Sequence, residues 1–229
     1  MTQVDSALST PVVTIDGTSG VGKGTVCHKV AQKLGWHILD SGSLYRLTAL
    51  KTSRDADSED IEQVVECAKN LDVDYRPSND ELLVFLEDED VTDQIRTEEI
   101  GALASKIAAK PAVREALLQR QKAFAMSPGL VADGRDMGTV IFPQADLKIF
   151  LTAGRQERAK RRYKQLIDKG LSANLPTLIA ELEARDERDT KRSVSPLRAA
   201  DDAVIIDTTH IGIEQVVDKV MSLVEDRFK

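Results

Sequence analysis

The run Gly17-Thr18-Ser19-Gly20-Val21-Gly22-Lys23-Gly24-Thr25 constrains this chain more than any other part of it. It follows an apolar stretch, Pro11 to Ile15, and leads into a helix-like pattern, Val21 to Leu34, so the order is strand, glycine-rich loop, helix. Glycines let backbone N–H groups close around phosphate oxygens, and a helix N-terminus adds a partial positive field. Lys23 places a point charge between the outer phosphates. Together these features imply a site for a nucleoside triphosphate. The general pattern puts Ser or Thr directly after the lysine, but here Gly24 intervenes and the hydroxyl arrives at Thr25.

A chain of 229 residues, 41% hydrophobic and 30% charged, suits one α/β domain, with room for inserted subdomains. The net charge of −7 argues against a protein that coats a nucleic acid polymer, so any anion site must be focal. Cys27 and Cys67 are the only cysteines and fit no metal spacing, which points to a reduced, cytoplasmic setting. The stretch from Met1 to Thr10 lacks Lys, Arg and an apolar core, so it reads as a polar tail and not a signal peptide. No apolar run approaches the roughly 20 residues of a membrane span. We expect a monomer whose partners are small molecules, with no membrane contact.

Further apolar runs at Trp36 to Leu39, Leu130 to Ala132, Leu147 to Leu151 and Ala203 to Ile206 alternate with helical patterns. They predict a five-stranded parallel sheet with helices on both faces. Each strand ends at polar residues (Asp16-Gly17, Asp40-Ser41, Asp133-Gly134, Thr152, Asp207-Thr208), and ligands of such sheets collect at those carboxyl ends. Between Leu71 and Val91 the period falls to two, with a turn at Pro77-Ser78-Asn79-Asp80. That predicts an antiparallel hairpin inside a largely helical insert, residues 58–109. Helices are expected at Ser58 to Asn70, Thr97 to Ala109 and Pro111 to Met126.

Arg155, Arg158, Arg161 and Arg162 fall at i, i+3, i+6 and i+7, so most of them should share one helix face, with Glu157 and Asp168 as partial neutralisers. Arg185, Arg188 and Arg192 repeat the device, with Asp186 and Asp189 interleaved. Beside a phosphate loop, such rows read as anion contacts; alone they would read as solvated surface. Asp133 at a strand end is placed to hold a Mg²⁺-bound water, and Arg135-Asp136 offers one cation and one acceptor. Asp40-Ser41-Gly42-Ser43-Leu44-Tyr45-Arg46 starts a helix, with Ser43 expected as its N-cap and Arg46 one turn in. His28, His37 and His210 form no base-and-nucleophile set and are assigned structural or surface roles.

These runs resemble the bacterial cytidylate kinase family, from Val12 to the last helix. The Gly-Lys-Gly-Thr order is that of nucleoside monophosphate kinases, whose Thr is placed to hold Mg²⁺. The residues that carry the closer likeness are Leu39-Asp40-Ser41-Gly42 with Tyr45-Arg46, Asp133-Gly134-Arg135-Asp136-Met137-Gly138-Thr139-Val140, and Arg185-Asp186 through Arg188-Asp189 to Arg192. The resemblance implies one domain over residues 1–229, a substrate arm enlarged by the hairpin, and a short arginine-bearing lid over residues 155–170. It implies transfer of a phosphoryl group from Mg²⁺-ATP to CMP or dCMP. Asp40, Ser41, Arg46, Ser105, Arg114, Arg135, Asp136, Arg185, Asp189 and Arg192 would contact the pyrimidine nucleotide. Thr25 and, through water, Asp133 would serve the metal. Lys23, Arg158, Arg161 and Arg162 are the expected catalytic cations, and Asp136 and Ser105 the acceptors for the cytosine amino group.

Two other readings remain open on sequence grounds. A kinase for another small acceptor, such as UMP or shikimate, would share the loop, although shikimate leaves the late arginine row and the hairpin hard to place. A GTPase-like switch is disfavoured because no Asp is followed by Gly three places on, and Thr190-Lys191-Arg192-Ser193 lacks a guanine-reading pattern.

Overall fold

The computed structural model describes residues 10–78, 82–168, 170 and 172–229. Strand β1 (Val12–Gly17) leads through the glycine-rich loop into helix α1 (Lys23–Leu34), and β2 (His37–Asp40) runs directly into α2 (Ser41–Asp55). The insert follows as α3 (Ile61–Lys69), β3 (Val73–Pro77), β4 (Leu82–Leu86), β5 (Glu89–Asp90), a 3-10 turn at Gln94–Arg96 and α4 (Glu98–Ile107). Then come α5 (Pro111–Lys122), β6 (Leu130–Gly134), β7 (Leu147–Thr152), the helix pair α6 (Arg155–Asp168) and α7 (Leu175–Thr190), β8 (Val204–Asp207) and α8 (Ile213–Arg227).

The five expected strands form one parallel sheet in the order β2-β6-β1-β7-β8. Their alternation feeds a core on each face. Val12, Leu130 and Ala132 pack against Leu44 and Leu47 of α2, Ile100 of α4 and Leu117 of α5. Val13, Ile15, Val131 and Ile149 pack against Val26 and Val30 of α1 and the Val216, Val217, Val220, Val224 stripe of α8. The chain crosses from β1 to β2 on one side of β1 and later from β6 to β7 on its other side, so the loop after β1 opens at the switch point of the sheet.

Three local expectations change. The hairpin is a three-stranded antiparallel sheet, β3-β4-β5, whose third strand has only two residues, both acidic, too few to show a period. Of its expected turn, Asn79 and Asp80 lie outside the described residues. Helix α1 starts at Lys23 and not Val21, because Gly20 and Gly22 hold φ of +79° and +94°, outside the helical region. Asp40, not Ser43, caps α2: its carboxylate accepts the Ser43 N–H at 3.0 Å, and the Ser43 hydroxyl donates back to the Asp40 carbonyl. One element was not foreseen. Met137–Ile141 winds into a π-helical turn, whose first N–H groups, from Met137 and Gly138, donate to the Asp16 carboxylate at 2.9 and 2.8 Å.

Candidate active site

Above the carboxyl ends of the sheet lies a cleft of about 900 Å³. The phosphate loop lines one wall from Ser19 to Thr25. Gly17 and Thr18 lie behind it, Gly17 within β1 and Thr18 accepting the Lys23 ammonium on its carbonyl at 2.9 Å. Lys23 also stands 3.9 Å from the Asp133 carboxylate, and both are buried. Burial pushes Lys23 down and Asp133 up from their ordinary values, and their mutual attraction only partly restores them. Thr25 is exposed in the cleft beside them.

Guanidinium groups gather across the cleft: Arg46 from α2, Arg135 after β6, and Arg185 and Arg192 from α7. Asp189, buried between two of them, accepts from Arg135 at 2.9 Å and pairs with Arg192. Burial alone would raise the Asp189 carboxyl, but Arg135, Arg192 and Arg185 outweigh it and hold it below the ordinary range. Arg185 has no such settlement. Burial first, then Arg135 and Arg46, push its guanidinium down to about 9, and its Nε has no hydrogen-bond partner. This part of the cleft is a cationic concavity whose charge suits an anion. Arg46 reaches it because its guanidinium is anchored on the Ile95 carbonyl and lies where α4 presents Gly101; a Cβ there would sit 2.9 Å from Nη2.

Ser41, Tyr45, Ala104, Ser105 and Ala108 also line the cleft, with Arg114 centred 5.6 Å from the Tyr45 ring. Arg114 pairs with Asp136 in a fully buried contact. Ser105 accepts from Arg188 at 3.3 Å.

The expected lid arginines diverge. Arg155 is exposed and pairs with Glu183 on α7. Arg158 does not line the cleft: it is buried behind the phosphate loop, donating to the Ser19 carbonyl at 2.9 Å and pairing with Asp186 at 2.6 Å. The interleaved Asp186 therefore serves α6 and not its own helix. Arg161 faces the cleft and donates to the carbonyl of Thr208, in the loop after β8, while Arg162 pairs with Glu98 of α4. Of the cleft wall from Thr208 to Ile213, sequence reasoning reached only Thr208, and it missed that Gly101 makes room for Arg46. A polar strand end was the only signal for the first, and a helical glycine amid apolar residues for the second.

The fold and this cleft define a phosphate-loop α/β protein of the nucleotide kinase class. The family model for cytidylate kinase matches residues 13–226. Curated cytidylate kinases of Aeromonas salmonicida, Shewanella denitrificans and Azotobacter vinelandii are similar throughout. The first is 53% identical over 95% of both chains, and the other two are 55% identical over 94% of this chain and 96% of theirs. This chain belongs to the cytidylate kinase family.

Proposed function

We propose that the protein transfers the γ-phosphoryl group of ATP to the phosphate of CMP or dCMP. The observation that carries this is a cleft lined both by the phosphate loop and by a cluster of guanidinium groups, with the buried Arg114–Asp136 pair also on its lining. The acceptor phosphate is itself anionic, so no strong base is needed; alignment and neutralisation are the task. In this reading Arg46, Arg135, Arg185 and Arg192 grip the acceptor, and Lys23, Arg161 and Arg162 neutralise the group in transfer. Arg158 shapes the loop from behind. The insert, residues 58–109, serves as the acceptor arm, and residues 155–170 as the lid, which Arg162 ties to Glu98.

The donor set fits Mg²⁺. Thr25 and Asp133 offer hard oxygens, and no group of three or more His, Cys, Asp or Glu able to cage a metal occurs among the described residues. That suits an ion that keeps its waters and shares nucleotide phosphates. When bound it would offset charge on the donor phosphates.

No helix among the described residues is long and apolar enough to cross a membrane, and both cysteines are buried free thiols; membership of the cytidylate kinase family is what supports action on small nucleotides in the cytoplasm. Coupled ADP release with CMP, dCMP, UMP, AMP and shikimate offered in turn tests the reading. CMP and dCMP should dominate, and Lys23→Ala should lose about 10³-fold or more in turnover. A best rate on UMP or shikimate would replace the acceptor, and parent-like turnover of Lys23→Ala would remove the loop from the mechanism.

A further inference from the structure

Gln121 on α5 is a fully buried amide that does not touch the cleft, yet it fixes a group that does. Its Oε1 accepts the Ser41 hydroxyl at 2.7 Å, and its Nε2 faces the Leu117 carbonyl at 3.4 Å. A carbonyl can only accept, so the amide is oriented with its oxygen toward Ser41. The Ser41 proton is thereby committed to Gln121. Toward the cleft, Ser41, only 3% exposed, offers lone pairs alone. A hydroxyl held in this state can meet a donor but not an acceptor.

The donor it meets is set by its position. Ser41 and Tyr45 lie one turn apart on the same face of α2, and Tyr45 borders Arg114, which pairs with Asp136, so Ser41 shares the part of the cleft that holds this buried pair. We propose that Gln121 is a positioning residue for base selection. It locks Ser41 as an acceptor for an exocyclic amino group of the acceptor base, and so sets the site against a base that carries a carbonyl there. This rests on the reading of the cleft as a pyrimidine monophosphate site. A cytosine amino group has two N–H donors, so Ser41 and the Asp136 oxygen not bonded to Arg114 can each take one. A uracil carbonyl would face lone pairs at both.

The test is the CMP-to-UMP ratio of kcat/KM in the parent, Gln121→Met and Gln121→Glu. Gln121→Met keeps the bulk but frees the Ser41 proton to donate to a carbonyl, so the ratio should fall about tenfold or more. Gln121→Glu keeps an oxygen facing Ser41 and should hold the ratio near the parent value. A purely structural role would lower both substrates together. An unchanged ratio in Gln121→Met, or a ratio lost equally in Gln121→Glu, overturns the proposal. If Gln121→Met does not fold, Gln121→Leu carries the test, with the same tenfold fall expected and an unchanged ratio decisive against it. A parent that phosphorylates neither nucleotide would instead remove the functional reading, and the selection argument with it.

Discussion

Arg185 carries its charge against unfavourable electrostatics. Its charged form is opposed by burial and by Arg135 and Arg46 and only partly favoured by Asp189 and Glu98, so an anion bound beside it would relieve the opposition. Replacing Arg185 with Gln should raise the melting temperature of the ligand-free protein, by about 2–4 °C for each kcal/mol of relieved repulsion. The same change should weaken CMP binding roughly 10- to 100-fold through the lost charged hydrogen bonds. Calorimetric melts and titrations would check both, and a variant less stable without ligand would contradict the account. Asp16 gives a pH signature. Burial lifts its carboxyl to about 6, against the two N–H bonds from Met137 and Gly138. Because the folded value lies above the unfolded one, the contribution is full below about pH 4 and is lost as pH rises through 6, about 3 kcal/mol in all. Relative to the parent, Asp16→Asn should gain stability between pH 4 and 6 and then level off. Parallel urea-denaturation curves across that range would show that Asp16 is not the group responsible.

At the scale of elements, most of the sheet is legible because buried parallel strands are short apolar runs with polar ends, and Pro11 to Ile15 or Leu147 to Leu151 could hardly be anything else. Boundaries were less legible where a side chain outside the element decides them. Asp40 and Ser43 both resemble caps, and only the fold shows the Asp40 carboxylate reaching the Ser43 N–H. The π-helical turn at Met137 depends on Asp16, more than a hundred residues away in sequence, so no local pattern predicts it. Two glycines separate backbone freedom from close approach. Gly17 has φ +147°, and a Cβ there would lie 2.2 Å from the Leu151 carbonyl oxygen on the paired strand β7. Gly35, the α1 C-cap at φ +65°, has nothing within 4 Å. Gly35→Ala should therefore cost only about 1–2 kcal/mol of left-handed strain. Gly17→Ala should cost on the order of 4 kcal/mol or more, because β1 and β7 must part. Similar losses for the two in urea unfolding would refute the distinction.

For the whole molecule, the two cores on opposite faces of the sheet make one scaffold, while the cleft above it has two separable halves. A nucleotide at about 100 times its Kd should add about 2.7 kcal/mol, or roughly 5–11 °C in melting temperature for a chain of this size. Lys23→Ala should lose most of the shift with ATP and retain the shift with CMP. Loss of both in thermal melts would mean that the loop and the arginine cluster do not act as independent sites. The strand, glycine-rich loop and helix, the parallel sheet and the arginine rows are legible in the amino-acid order, because glycine spacing, apolar runs and helical periodicity are local properties. Which arginines face the cleft, that Arg158 supports the loop from behind and that Ser41 is bonded to Gln121 depend on the packed chain. Side-chain direction in a crowded cleft is fixed by partners from distant segments, and buried charges and amides settle wherever the packed chain offers them a counterpart.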